Sequence, residues 1–414
     1  MYVLPGIFRF HTTTSLFLRN VSRALDAFEP TPHQLRAPRC DAHDHWSVHC
    51  VELAGRGSST PPREVTLCDT FLMSELAALI DHVLSNDGDL LERNIFGSGD
   101  PTAIANQLED FLHDVFGAVP HALFYRHSVG VVIGARLGQR DVVVKVHAWN
   151  ASIERLTAIQ RVQREFAGRG IPAPRPLVEP SKLGAGIATV EDFLPGDVAN
   201  GHDPAILTSL AVELNRFITL GRHVTNVEGL VGPALLSVAP STLWPTPHSP
   251  RFNFEATSDG AAWIDLLAWS ARRRLESLEG EPVIGYLDWR VGNLGFDGST
   301  LTAIYDWDSI GLATESFIVG SAAATFSSDW SQPGGSLPSL GEMRAFVSAY
   351  EAQRGAHFSE EERHDVDAAN LLLVAYGARC QHSDHLLIEG SDASARQGWS
   401  GLLRERGDVG LLLG

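Results

Sequence analysis

The spacing of the apolar residues changes along this chain, and the change limits the folds that are open to it. Over residues 74–112 the apolar side chains recur every three or four positions, a period that predicts helices. β-branched residues then crowd residues 122–135 and 141–147, which predicts strands joined at a tight turn. The helical period returns over residues 153–167. The pattern therefore predicts a leading helical segment that is followed in the chain by a small sheet and one helix.

A larger and mainly helical region begins near Pro204. One further strand, over residues 188–193, precedes it, and a block of strand, turn and strand over residues 283–306 interrupts it. Strands gathered in one part of a chain and helices in another are typical of the α+β class. We therefore expect an α+β fold.

The charge of the chain excludes one class of partner. Its 414 residues carry 32 basic and 50 acidic side chains, a formal net charge of −18. A protein that follows nucleic-acid phosphates needs a basic surface, so we expect no nucleic-acid partner. No apolar run approaches the ~20 residues that span a bilayer, and the first residues lack the features of a secretory signal. We expect a cytoplasmic protein without a membrane partner.

Residues 1–72 differ from the rest of the chain. Pro, Gly, Ser and His dominate much of this stretch, so we expect a poorly ordered extension or a reading frame that truly starts at Met73. The alternative is a segment that binds a metal or a partner. Its five potential ligands fit no paired zinc-knuckle spacing. They are Cys40, His43, His45, His49 and Cys50.

Lys145 is one of only two lysines in the chain and lies in the middle of the run VVVKV. A buried ammonium group among β-branched neighbours is unfavourable unless an anion meets it. The sequence therefore favours an anionic partner or ligand for Lys145. The alternative is an edge-strand lysine that points into solvent.

The interrupting block reads VIGYLDWRVGNLGFDGSTLTAIYDWDSI. If it folds as a hairpin about Asp297 and Gly298, Asn293 and Asp306 meet at its open end. An amide oxygen and a carboxylate are hard ligands that suit Mg²⁺. Asp288, on the loop leading in, would supply a free carboxylate as a proton acceptor, which is the arrangement that phosphoryl transfer needs. The alternative is a polar loop beside a hairpin, with Asp306 capping the next element.

These motifs together resemble the aminoglycoside phosphotransferase family, which is related to choline kinases and has a protein-kinase-like fold. The resemblance extends over residues 124–317. Four segments carry it: residues 286–293 match the family's HGDxHxxN loop, 305–308 its IDWE segment, 171–176 its GxPxPxP stretch and 191–196 its hinge.

The resemblance implies a two-lobed, protein-kinase-like α+β fold, with a small antiparallel sheet in the N-lobe and a large helical C-lobe. The expected divisions are the extension (1–72), leading helices (73–114), the N-lobe and hinge (115–196) and the helical C-lobe with the catalytic loop and acceptor site (197–414).

The implied activity is transfer of the γ-phosphoryl group of ATP or GTP to a hydroxyl of an aminoglycoside-like, amino-alcohol or sugar acceptor. By this resemblance, Asp288 is the catalytic base, Asn293 and Asp306 bind Mg²⁺, and Lys145 meets the α- and β-phosphates. The resemblance implies four further nucleotide-binding residues. Ser128 and Gly130 would cover the phosphates, and Glu191 and Phe193 belong to the hinge that contacts the purine.

Two departures from the family pattern count against the match. Tyr286 replaces the histidine that precedes the catalytic aspartate by two residues, and the helix glutamate expected to pair with Lys145 is either Glu154 or Glu165, of which we prefer Glu154. The first departure leaves open a nucleotide-binding regulatory pseudokinase with little or no turnover. Acidic and aromatic residues mix in residues 244–274, which suits a cationic acceptor.

Overall fold

The structure is a computed structural model that describes residues 73–127, 129–148, 151–249, 251–276, 280–329, 336–387, 398–408 and 410–412. The cysteine and histidine cluster of the extension lies outside these residues, and so does Ser128. Among the residues described, no helix is long and apolar enough to cross a membrane.

From residue 73 onward, where the structure describes the chain, three helices lead into the sheet: α1 (Glu75–Asp87), α2 (Leu90–Phe96) and α3 (Pro101–Phe116). Side chains cap two of them, because Ser74 accepts from the N–H of Ala77 at 3.2 Å and Asp100 from the N–H of Thr102 at 3.0 Å. Their apolar faces share one core with the strands that follow. The leading helices therefore cover one face of the N-lobe sheet.

The N-lobe sheet has five antiparallel strands in the order β1-β2-β3-β5-β4. Gly138, at a φ of +63°, lies in the two-residue turn between β2 and β3, as expected. Alternation along β3 buries Val142, Val144 and Val146 against the leading helices and turns Lys145 and His147 to the opposite face. The strands are β1 (His121–His127), β2 (Val131–Leu137), β3 (Arg140–His147), β4 (Ser181–Leu183) and β5 (Gly186–Asp192).

Helix α4 (Ile153–Gly168) begins at Ser152, whose hydroxyl accepts from the N–H of Arg155 at 3.1 Å. Its buried apolar residues belong to the core of the C-lobe rather than to that of the sheet. Phe166, for example, lies 4.5 Å from Phe217 between ring centroids. Helix α4 is therefore packed mainly on the C-lobe.

The C-lobe is helical, and α9 packs against α6, α7 and α10. Two short antiparallel sheets interrupt the helices: β6 pairs with β9, and β7 pairs with β8. The sequence predicted the second pair as a hairpin, whereas β9 was not anticipated. The elements are α5 (Pro204–Gly221), α6 (Ala262–Glu276), β6 (Val283–Tyr286), β7 (Leu294–Asp297), β8 (Thr300–Ile304), β9 (Ile310–Ala313), α7 (Glu315–Thr325), α8 (Leu340–Arg354), α9 (Glu360–Leu387) and α10 (Trp399–Arg406).

Candidate active site

The β7–β8 hairpin brings the two predicted metal ligands to its open end. Leu294 pairs with Ile304, and the N–H of Tyr305 donates to the carbonyl oxygen of Asn293 at 2.9 Å. Asn293 therefore ends the turn before β7, and Asp306 follows β8 directly. Asp306 adopts a left-handed backbone at a φ of +52°, a conformation that aspartate tolerates better than most residues.

Asp288 lies on the loop before the hairpin, and two side chains hold its carboxylate. Asn293 Nδ2 donates to Asp288 Oδ2 at 2.8 Å and to the Asp288 carbonyl oxygen at 3.0 Å. Arg290 Nε donates to the same carboxylate, at 3.0 Å from Oδ2 and 3.2 Å from Oδ1. The structure thus joins Asp288 and Asn293 directly, as the motif predicts.

Tyr286 replaces the family's histidine and is almost completely buried, with 1% of its surface exposed. Its hydroxyl donates to the carbonyl oxygen of Tyr305 at 2.7 Å and lies 3.2 Å from that of Asp306. Burial, together with the charges of Asp306 and Asp288, raises the pKa of Tyr286 well above its usual range, so the hydroxyl stays a donor. The phenol therefore braces the backbone that presents Asp306.

The carboxyl groups of Asp306 and Asp308 lie close together. Burial and the neighbouring charge of Asp308 raise the pKa of Asp306 to about 6, although Lys145 acts in the opposite sense. Asp308 Oδ1 is buried without a hydrogen-bond partner within the described part of the chain. A divalent cation would satisfy this oxygen and relieve the repulsion, and oxygen ligands of this kind suit Mg²⁺. The residues present therefore fit a magnesium site.

Lys145 reaches the same place from the N-lobe sheet. Its Nζ lies 3.2 Å from Glu191 Oε1, and both side chains are largely buried. Burial lowers its pKa, but the carboxylates of Glu191, Asp308 and Asp306 outweigh this effect and raise the pKa above its usual value. Lys145 is therefore a charged lysine whose anionic neighbours come from both lobes, and its contact with the α- and β-phosphates stays a prediction.

The prediction that Glu154 pairs with Lys145 was wrong. Glu154 is exposed in the first turn of α4, and Glu165 pairs with Arg169. The face of α4 that approaches the sheet presents buried glutamines instead, and one of them, Gln163, donates to Glu191 Oε2 at 2.8 Å. The carboxylate beside Lys145 thus comes from strand β5.

The hinge also begins later than the sequence suggested. Glu191 belongs to β5, where its backbone pairs with Val143 of β3, and the N–H of Phe193 donates to the carbonyl oxygen of Asp141 at 3.0 Å. This donor of Phe193 is therefore committed to the sheet. After Phe193, the carbonyl oxygen of Leu194 accepts a hydrogen bond from the hydroxyl of Tyr305 at 3.2 Å. This bond links the hinge to residues 305–308.

Gly130 lies at the turn between β1 and β2, against the backbone of β3. A Cβ atom at this position would stand 2.7 Å from the carbonyl oxygen of Val146, one residue beyond Lys145. Glycine is therefore required for this approach, which brings the turn over the strand that carries the lysine.

A microcompartment-associated aminopropanol kinase superposes with a TM-score of 0.51 at 13% identity, covering 73% of this chain and 95% of that one. The fold of this chain is therefore the fold of that kinase. It confirms the predicted two-lobed α+β class.

Two further structures are similar over comparable lengths. The apo form of a thermostable mutant of aminoglycoside phosphotransferase APH(4)-Ia gives a TM-score of 0.47 at 14% identity, covering 73% of this chain and 100% of that one. The AMP-bound complex of spectinomycin phosphotransferase APH(9)-Ia gives 0.46 at 14% identity, with 74% and 96% covered. No family model and no curated protein matches the sequence.

Within this kinase-like fold, two residues near the site were missed from the sequence. Arg290 occupies the position of the second histidine in the HGDxHxxN loop, and that departure was the signal that could have found it. Asp308 ends the segment that matches IDWE, but only the packing of α4 and β3 shows that its carboxylate faces the site, 3.8 Å from His147 Nδ1.

The aromatic and acidic segment of the C-lobe is more self-contained than the sequence suggested. Asp265 Oδ1 accepts from the indole N–H of Trp244 at 2.8 Å and lies 3.6 Å from Arg379 Nε. The ring of Trp244 packs between those of Phe254 and Tyr376, each 5.9 Å away between centroids. Because Asp265 already has cationic and hydrogen-bonding partners, it offers little free charge to a cationic acceptor.

Proposed function

We propose that this protein transfers the γ-phosphoryl group of ATP or GTP to a hydroxyl group of a small acceptor. The observation that carries the proposal is the convergence of unlike charges from two lobes. Lys145 of the N-lobe sheet faces the carboxylates of Asp306 and Asp308, which follow the β7–β8 hairpin. At the start of that hairpin, Asn293 holds Asp288 through a 2.8 Å hydrogen bond. A cation for phosphates, ligands for a metal and a carboxylate for a hydroxyl are the parts that phosphoryl transfer uses.

Each residue then has a distinct role. Lys145 would neutralise the α- and β-phosphates, and the turn at Gly130 would cover them. Asn293 and Asp306, with Asp308 beside them, would hold Mg²⁺, which supplies charge neutralisation to the phosphoryl groups. Asp288 would orient the acceptor hydroxyl and receive its proton. Catalysis would come mainly from positioning and electrostatics.

Arg290 refines the role of Asp288. Arg290 Nε, 3.0 Å from Asp288 Oδ2, holds the Asp288 carboxylate in one orientation. Asp288 would therefore align the acceptor hydroxyl and receive its proton as the oxygen bonds to phosphorus.

The acceptor is proposed as an amino-alcohol, a sugar or an aminoglycoside-like compound. One of the superposed structures is an aminopropanol kinase, and an amino-alcohol is among the acceptor classes proposed for this chain. The net charge of −18 would favour the approach of a cationic acceptor.

Thermal unfolding of the full chain with ATP or GTP, with and without Mg²⁺, tests the nucleotide site. At 100 times its dissociation constant a nucleotide should stabilise the protein by about 2.7 kcal/mol. Asp306→Asn should remove the Mg²⁺-dependent part of the shift. Asp297→Asn, an exposed aspartate in the same hairpin, is the matched control and should keep it.

Turnover is tested separately. Asp288→Asn should retain the nucleotide-induced shift and lose phosphorylation of every acceptor in a screen of amino-alcohols, sugars and aminoglycosides. The regulatory alternative would be favoured if the wild-type protein binds nucleotide, phosphorylates no acceptor in the screen and shows no slow hydrolysis of the nucleotide. No shift with either nucleotide would overturn the proposal.

A further inference from the structure

We infer that Glu191 of strand β5 is the positioning residue for Lys145, so that the sheet itself rather than helix α4 orients the lysine. The inference rests on the proposed function, because it names the residue that would hold the phosphate-binding lysine in place. Glu191 would act through Lys145 and would not contact the nucleotide itself.

The register of the sheet produces the pair. Lys145 lies opposite Thr189 and Val143 opposite Glu191, so Lys145 and Glu191 are diagonal neighbours on one face of two adjacent strands. Lys145 Nζ and Glu191 Oε1 are 3.2 Å apart, with side-chain exposures of 13% and 11%. Neither residue needs any other element to reach its partner.

Helix α4 supports this pair with a neutral group. Gln163 Nε2 donates to Glu191 Oε2 at 2.8 Å, which leaves Oε1 for the lysine. Gln160 of the same helix face donates instead to the carbonyl oxygen of Val178 at 3.0 Å. The buried face of α4 thus fixes the rotamer of Glu191 without contributing a charge.

The placement has a mechanical consequence. Helix α4 shares its core with the C-lobe, and Arg155 Nη2 donates to the carbonyl oxygen of Asp308 at 3.0 Å. A carboxylate on α4 would move with the C-lobe, whereas Glu191 keeps its register with Lys145 whenever the two lobes shift. The lysine is therefore held in place before any nucleotide binds.

An exchange of charge between strand and helix tests the inference. Glu191→Gln removes the carboxylate, and the double variant Glu191→Gln/Gln163→Glu returns it to the same neighbourhood from the helix. We expect the single variant to lower kcat/KM at least tenfold, mainly through KM for the nucleotide. The double variant should recover only part of that loss, because a carboxylate on α4 moves with the C-lobe. Glu179→Gln, which removes an exposed carboxylate paired with Arg164, is the matched control.

A second readout needs no activity. The chain has two lysines, so acylation by an amine-reactive reagent, followed by mass spectrometry, compares Lys145 with the exposed Lys182 in the same molecule. A buried, ion-paired amine reacts slowly. Glu191→Gln should increase the labelling of Lys145 relative to Lys182 at least threefold, and the double variant should reverse the increase. Thermal melting of each variant confirms that it is folded.

The outcomes separate the two proposals. Unchanged labelling of Lys145 and unchanged kcat/KM in a folded Glu191→Gln variant would overturn the role of Glu191 while leaving the kinase proposal intact. A double variant with the kcat/KM of the wild type would also overturn it, because α4 would then orient the lysine as well as the sheet does. If the wild type binds no nucleotide, the proposed function fails, and the labelling ratio still decides whether Glu191 holds the lysine.

Discussion

The hydroxyl of Tyr286 donates a hydrogen bond to the carbonyl oxygen of Tyr305, with 2.7 Å between the two oxygens. The bond joins the end of β6 to the backbone that carries Asp306. The ring packs edge-on against Trp289 at 5.7 Å and Phe217 at 6.1 Å between centroids, so it is fixed in place. The residue that departs from the family pattern therefore braces residues 305–308.

Tyr286→Phe should weaken binding of the Mg²⁺–nucleotide complex severalfold and lower the free energy of unfolding by about 1 kcal/mol. The ring remains, but the carbonyl oxygens of Tyr305 and Asp306 lose their donor, so the loop is less constrained. Titration of the nucleotide-induced melting shift measures the first effect and urea unfolding the second. Tyr350→Phe, which removes a buried hydroxyl bonded to Glu315 at 2.7 Å, is the control: it should affect stability alone. Equal nucleotide affinity in both variants would contradict the bracing role.

Arg290→Gln should lower kcat about 10- to 100-fold while nucleotide affinity stays within about twofold, since a positioned proton acceptor contributes about 10²–10⁴-fold. The guanidinium fixes the Asp288 carboxylate through contacts of 3.0 and 3.2 Å, and glutamine cannot reproduce both. Steady-state kinetics with a saturating acceptor gives kcat, and the melting shift gives affinity. Arg216→Gln, at an exposed arginine paired with Glu213, should leave both unchanged. A change confined to nucleotide KM would show that Arg290 acts on the nucleotide instead.

Gly130→Ala should weaken nucleotide binding at least tenfold, because the added methyl group would stand 2.7 Å from the Val146 carbonyl oxygen and push the turn away from β3. Gly168→Ala is the contrasting variant. At the end of α4 no atom lies within 4 Å of the added methyl, so stability should stay the same or rise by up to about 1 kcal/mol. Isothermal titration of both variants with nucleotide compares the two glycines. Similar affinities would show that the turn does not approach the phosphates.

The sequence revealed the parts of the site that depend on local structure. Asn293 and Asp306 could be placed together because a two-residue turn near Gly298 fixes the register of one hairpin. The partner of Lys145 could not be found in this way. It depends on how β3 pairs with β5, two strands separated by a whole helix, and a shift of one residue would turn Glu191 to the other face.

The same distinction explains the other errors. The sequence does not show that the N–H of Phe193 is already bonded to the carbonyl oxygen of Asp141 in β3, so it predicts a free hinge donor there. Helical spacing could not show which side of α4 meets the sheet, because one side packs on the C-lobe core and the other presents glutamines. When a helix buries polar residues, the period of its apolar residues alone does not show which of its faces are buried.

Glu342, in the first turn of α8, should make stability depend on pH. Its carboxylate accepts from the backbone N–H of Ser339 at 2.8 Å, from the Ser339 hydroxyl at 2.7 Å and from His202 Nδ1 at 2.8 Å. Partial burial alone would raise its pKa, but these hydrogen bonds outweigh burial and lower the pKa below the usual value of Glu.

A folded-state pKa below the unfolded one means that the group stabilises the protein above about pH 4.3, the usual pKa of Glu, and loses this contribution as the pH falls through the folded value. Glu342→Gln should therefore be less stable than the wild type at pH 6, by about 0.5–1 kcal/mol, which is typical of a charged group at a helix start. This gap in the free energy of unfolding should narrow by pH 4 and continue to close at lower pH. Urea midpoints at several pH values measure the gap. Glu281→Gln, in the exposed loop before β6, should show a small and constant difference. A gap for Glu342→Gln that widens toward low pH would contradict the sign, because it would mean that folding raises the pKa of this carboxyl group.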